Sequence, residues 1–125
     1  MRRLLLVLGR RPDMRLWRQN VGSVPVRDRA GQTLRVFHSG IPNGAADLSG
    51  YLRPEGWRLE IEVKGPGGRL RPAQESFARN VTQGGCVYAL VGYHAGLSLD
   101  ANLALAVRVV EEAIARRRAA WRALP

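Results

Sequence analysis

Three side chains carry most of the chemical information in this sequence: Asp47, Glu62 and Lys64. Lys64 is the single lysine among twenty basic residues, all the others being arginine. Wherever any positive charge suffices, the chain uses a guanidinium. A lone ammonium therefore marks a position that needs a compact cation able to lose a proton. Residues 46–52 and 57–64 flank Arg53-Pro54-Glu55-Gly56, whose proline and glycine suit a tight turn. Pairing about that turn puts Leu52 opposite Trp57, Gly50 opposite Leu59 and Leu48 opposite Ile61. On the other face Tyr51 meets Arg58, Ser49 meets Glu60 and Asp47 meets Glu62. Because strand side chains alternate with period two, one register sorts the apolar residues from the polar ones.

Asp47 facing Glu62 is a like-charge pair, which destabilises a sheet unless a cation compensates it. Lys64 shares their face, and a divalent metal would resolve the conflict better. Oxygen ligands without cysteine partners predict Mg2+ or Mn2+ as the cofactor rather than zinc. Two carboxylates holding such an ion beside an ammonium are suited to phosphodiester hydrolysis. The metal generates hydroxide, and the ammonium steadies developing charge or orients the attacking water. Glu60 reads as a solvent-facing or supporting carboxylate on the same face.

The elements that would position these groups follow from patterning. Residues 2–9 predict a short helix stopped near Gly9. Residues 15–26 and 33–37, around the turn Asp28-Arg29-Ala30-Gly31, read as a hairpin. Residues 38–46 are loop, and Gly65-Pro66-Gly67-Gly68 ends the segment that carries Lys64. A helix is predicted from Pro72 to Gln83, stopped by Gly84-Gly85, with Ala73, Phe77 and Val81 on one face. Residues 86–91 then form a buried strand, which makes Cys86 a core residue. Strand, helix, strand implies a right-handed parallel crossover. From about residue 98 a long helix carries Leu103, Val107, Val110, Ile114 and Trp121 as a stripe that fits the sheet or a second chain. The fold class is α/β: a mixed β-sheet, hairpin plus parallel βαβ crossover, flanked by helices.

The 125 residues make one ordinary domain, and the net charge of +10 favours a polyanion as partner. One cysteine excludes a disulfide framework. The apolar run at 4–8 is shorter than a signal core or a membrane span, so a cytoplasmic location is expected and Asn80-Val81-Thr82 is read as a chance glycosylation motif. His38 and His94 lack the neighbours of a nucleophilic triad, and Gly65 to Gly68 lacks the Lys-Ser/Thr ending of a phosphate-binding loop.

Four blocks occur in order: Arg18-Gln19-Asn20-Val21-Gly22, Gly40-Ile41-Pro42-Asn43-Gly44-Ala45-Ala46-Asp47, Ile61-Glu62-Val63-Lys64-Gly65-Pro66-Gly67-Gly68, and Gln74 in the next helix. Over residues 15–92 this resembles the virus-type replication-repair nuclease (VRR-NUC) domain of the PD-(D/E)XK superfamily. The resemblance implies a restriction-endonuclease-like fold and a metal bound by Asp47, Glu62 and the Val63 carbonyl. It implies Lys64 as catalytic lysine and Gln74 as a supporting residue. It further implies structure-selective cleavage of branched or four-way-junction DNA by a homodimer. Two departures stand out: Ala46 replaces the proline before the aspartate, and residues 1–9 contain no acid. Arg18, Gln19, Asn20, Arg69 and Arg71 are candidates for DNA contact, with turn-capping and ordinary exposure as competing roles. Two other readings stand beside a junction nuclease. One is a nuclease-derived DNA-binding module without turnover. The other is an exonuclease or restriction-type enzyme with the same metal site.

Overall fold

The computed structural model describes residues 1–20 and 22–125, so Val21 of the first block lies outside the described residues. The order of elements is α1 (Arg2–Gly9), β1 (Met14–Arg18), β2 (Ser23–Arg27), β3 (Thr33–His38), β4 (Leu48–Leu52), β5 (Arg58–Lys64), α2 (Pro72–Gln83), β6 (Val87–Gly92) and α3 (Leu99–Arg122). Four strands form one mixed sheet in the order β1-β4-β5-β6, flanked by helices, while β2 and β3 form a separate ribbon.

The turn-centred register holds. Leu48 pairs with Ile61, Ser49 with Glu60, Gly50 with Leu59 and Tyr51 with Arg58. β5 and β6 run parallel, joined through α2. The predicted hairpin of 15–26 with 33–37 is corrected. Its first half splits, so that Met14–Arg18 pairs with β4 and only Ser23–Arg27 pairs with β3. Met14 and Leu16 bury in the core, whereas Val24, Leu34, Val36 and Phe37 stay exposed, so burial separates the two pieces where local pattern does not.

One sheet face is apolar. Leu48, Leu52, Leu59, Ile61, Val87, Ala89 and Val91 pack there with Leu4 and Leu8 of α1 and with Ala106, Val110, Ala113 and Ile114 of α3. The stripe on the last helix is thus largely spent inside the chain, with Trp121 left exposed. Ser98 caps α3 by accepting from the Ala101 amide. Asn102 fastens the preceding loop, accepting from the His94 amide and donating to the His94, Leu97 and Ser98 carbonyls. Arg118 reaches Glu55 in the β4–β5 turn, and Arg117 lies over Trp57, 4.4 Å from the ring centre. Cys86 precedes β6 and is only half-buried, because the strand begins one residue later than predicted.

The opposite face is polar, and α2 covers part of it. Gly44 shapes the approach of the preceding loop to this helix. It adopts φ +85°, and a Cβ there would lie 2.2 Å from the Ala73 carbonyl oxygen. No described helix is long and apolar enough to cross a membrane.

Candidate functional site

Asp47 lies just before β4, its carbonyl accepting from the Gln19 amide at 2.9 Å. Its Oδ2 accepts from the Val63 amide at 2.9 Å, tying the end of β5 to the preceding loop. Two residues along the same face of β5, Glu62 is 3% exposed at its side chain and Lys64 17%. Glu62 Oε1 is 2.9 Å from Lys64 Nζ and accepts from Gln74 Nε2 at 2.6 Å. The same amide accepts through Oε1 from Lys64 Nζ at 2.8 Å and from the Arg71 amide at 2.9 Å. Gln74 therefore satisfies an acid, an ammonium and the start of its own helix with one side chain. Glu62, Lys64 and Gln74 thus meet in one network, while Asp47 joins the same end of β5 through the Val63 amide.

Glu60 is the correction of most consequence within this face. It is buried, not solvent-facing. Ser49 Oγ and Arg58 Nε both donate to its Oε1 at 2.9 Å, and Gln19 Nε2 reaches Oε2 at 3.4 Å. Gln19 thus serves the interior, while Arg18, Asn20, Arg69 and Arg71 are exposed. Tyr88 was missed. Its hydroxyl is buried without a hydrogen-bond partner among the described residues, as is Glu62 Oε2. Burial, reinforced by Glu62, Asp47 and Glu60, pushes its phenol up to about 12. A tyrosine in an otherwise apolar strand, on the face that carries the acids, was the available clue.

The expected metal site is not supported. Among the described residues, no group of three or more His, Cys, Asp or Glu side chains is placed to hold a metal ion. The chemistry of the donors gives the reason. A hard divalent cation takes six or more oxygens in a regular shell. Here Asp47 Oδ2 accepts from the Val63 amide, Glu62 Oε1 from Lys64 and Gln74, and Glu60 Oε1 from Arg58 and Ser49. The first helix adds no acid, and one buried oxygen, Glu62 Oε2, is not a coordination shell. Val63 contributes its amide, which donates to Asp47 Oδ2.

Four expectations fall with the cluster: the Mg2+/Mn2+ cofactor, the deoxyribonuclease activity, junction cleavage, and the identification with the VRR-NUC family. What the polar face displays is a carboxylate–ammonium–amide lock. The chain matches no protein-family model and no curated protein.

Proposed function

We propose that the chain is a DNA-binding module, built on a restriction-endonuclease-like arrangement of hairpin and crossover, that holds nucleic acid without hydrolysing it. The observation that carries this reading is the disposition of the arginines. Of nineteen, only Arg3, Arg11, Arg58 and Arg118 form ion pairs, leaving fifteen without a carboxylate partner among the described residues. Guanidiniums left free on so cationic a body suit phosphate contacts. Arg18, Asn20, Arg69 and Arg71 are all exposed, and the three arginines supply such contacts.

Fluorescence anisotropy of labelled duplex DNA across a salt series tests the reading. Binding is expected with a dissociation constant of about 10−6 M or weaker at physiological salt. Its log–log dependence on salt has a slope of about −0.9 per phosphate contact. A four-way junction incubated with the protein and Mg2+ stays intact. Absence of binding at low salt overturns the reading, as does strand cleavage that disappears in Glu62→Gln.

A further inference from the structure

The part of the polar sheet face that α2 does not cover has an unusual composition. β1 is an edge strand, and its Met14 and Leu16 point into the core, so Arg15 and Trp17 project from the polar face. β4 does the same with Ser49 and Tyr51. Arg15, Tyr51 and Arg58 form one cross-strand row, and Trp17 and Ser49 belong to the next. Trp17 is 41% exposed and Tyr51 37%. Their ring centres lie 6.4 Å apart at 59°, so the two rings are not stacked on each other and both stay partly exposed.

Cations frame these rings. The Arg53 guanidinium carbon lies 5.7 Å from the Tyr51 ring centre. Arg53, with Arg15 adding its field, holds the Tyr51 phenol below its usual range. Arg15, Arg18 and Arg53 are exposed and have no ion-pair partner among the described residues. The one acid in these rows, Glu60, is buried and neutralised by Arg58. Exposed aromatics on a rigid sheet, rimmed by unpaired guanidiniums, suit ligands with flat rings and regularly spaced negative charge. Unpaired nucleotides meet both conditions, whereas bases inside a duplex hide their faces.

We infer that Trp17 and Tyr51 form a stacking platform for the bases of single-stranded nucleic acid, with Arg15, Arg18 and Arg53 holding its phosphates. The inference rests on the DNA-binding reading and adds to it the ligand's strandedness. A second copy of the chain is the less favoured occupant, because two such arginine rims would repel each other.

The test measures binding of a 12-nucleotide single strand and of a 24-base-pair duplex to the wild type and to Trp17→Ala, Tyr51→Ala and Tyr51→Phe. Each alanine variant is expected to weaken single-strand binding about 5- to 150-fold, the range for loss of one base–aromatic stack. Tyr51→Phe keeps near wild-type affinity, and duplex binding changes less than twofold throughout. In a Trp57→Phe/Trp121→Phe background, where Trp17 alone emits, the strand quenches the fluorescence. Unchanged thermal unfolding of the variants separates lost contacts from lost structure.

If the wild type binds DNA and the alanine variants bind single strands equally well, the platform is wrong while the DNA-binding reading stands. If the wild type binds neither nucleic acid, both fall. If the variants leave binding intact but convert a dimer to a monomer in sedimentation, the face belongs to a second copy and the inference is overturned.

Discussion

On the polar face of the sheet, the half over β5 and β6 carries carboxylates and the lysine and is closed, whereas the half over β1 and β4 carries aromatics and arginines and is open. In the closed half, Glu60 and Glu62 are buried and Lys64 half-buried, with Gln74 of α2 bonded to Glu62 and Lys64, and Ser49 and Arg58 bonded to Glu60. In the open half, Arg15, Trp17, Tyr51 and Arg53 face solvent and no acid answers the guanidiniums. A covering helix and carboxylates of its own set the first half apart from the second. Charge that is buried must be matched within the fold, and charge that is left exposed is available to a partner.

The largest expected effect breaks this comparison directly, because Arg58 and Arg15 flank the same tyrosine in one cross-strand row. The Arg58 side chain is 54% exposed, so surface area alone makes it a tolerant position. Its partner Glu60 is 1% exposed at the side chain, and Arg58→Ala would strand that carboxylate with only Ser49 and Gln19. Leaving this buried carboxylate short of its cation costs about 3 kcal/mol, less than the loss of a fully buried pair because Arg58 is half exposed. Arg15→Ala removes a solvated charge and is expected to change stability by no more than about 0.5 kcal/mol. Urea unfolding of the two variants decides the matter. Equal midpoints would mean that the two halves do not differ energetically.

The hairpin β4–β5 and its register were legible because a proline–glycine turn fixes the centre and period two leaves one consistent pairing. Helix α2 was legible from Pro72 to Gln83 because both ends carry terminators. The split of 15–26 into strands of two different sheets was not, since Trp17, Val24 and Val26 present the same local pattern. Only burial against Leu4, Leu8 and Leu48 distinguishes Met14 and Leu16 from the ribbon. Glu62, Lys64 and Gln74 contact one another and Asp47 reaches the neighbouring Val63 amide, but residue type and spacing could not reveal how their lone pairs are used. A carboxylate that accepts from an amide or an ammonium and one that ligates a metal read identically in sequence. Glu60 was readable in retrospect, because Arg58 two residues earlier and Ser49 across the strand lie on its face.

A smaller effect sharpens the closed half. Gln74→Leu keeps the volume of a buried residue but withdraws a donor from Glu62 and an acceptor from both Lys64 and the Arg71 amide. Unsatisfied groups of this kind cost about 1–3 kcal/mol. The loss should appear in thermal unfolding, with single-strand binding at the open half unchanged. Binding lost together with stability would show that the two halves are coupled.

The smallest effect has the opposite sign. The Tyr88 hydroxyl is buried, with Phe77 of α2 packed on its ring, and has no hydrogen-bond partner among the described residues. Tyr88→Phe removes a desolvated polar group at no cost in shape and is expected to stabilise the fold by about 1 kcal/mol. The pH dependence supplies an independent check. Burial first, then Glu62, Asp47 and Glu60, raise the folded phenol from 10.0 to about 12. Below the unfolded value both states keep the proton and stability is flat in this group. Between the two values the unfolded chain ionises while the fold does not, so the contribution is lost as pH rises through the folded value. The wild type minus Tyr88→Phe difference in unfolding free energy should therefore be constant up to about pH 10 and fall from there towards pH 12. A difference that stays level across that interval would mean that the hydroxyl is solvated and that α2 does not seal this half of the face.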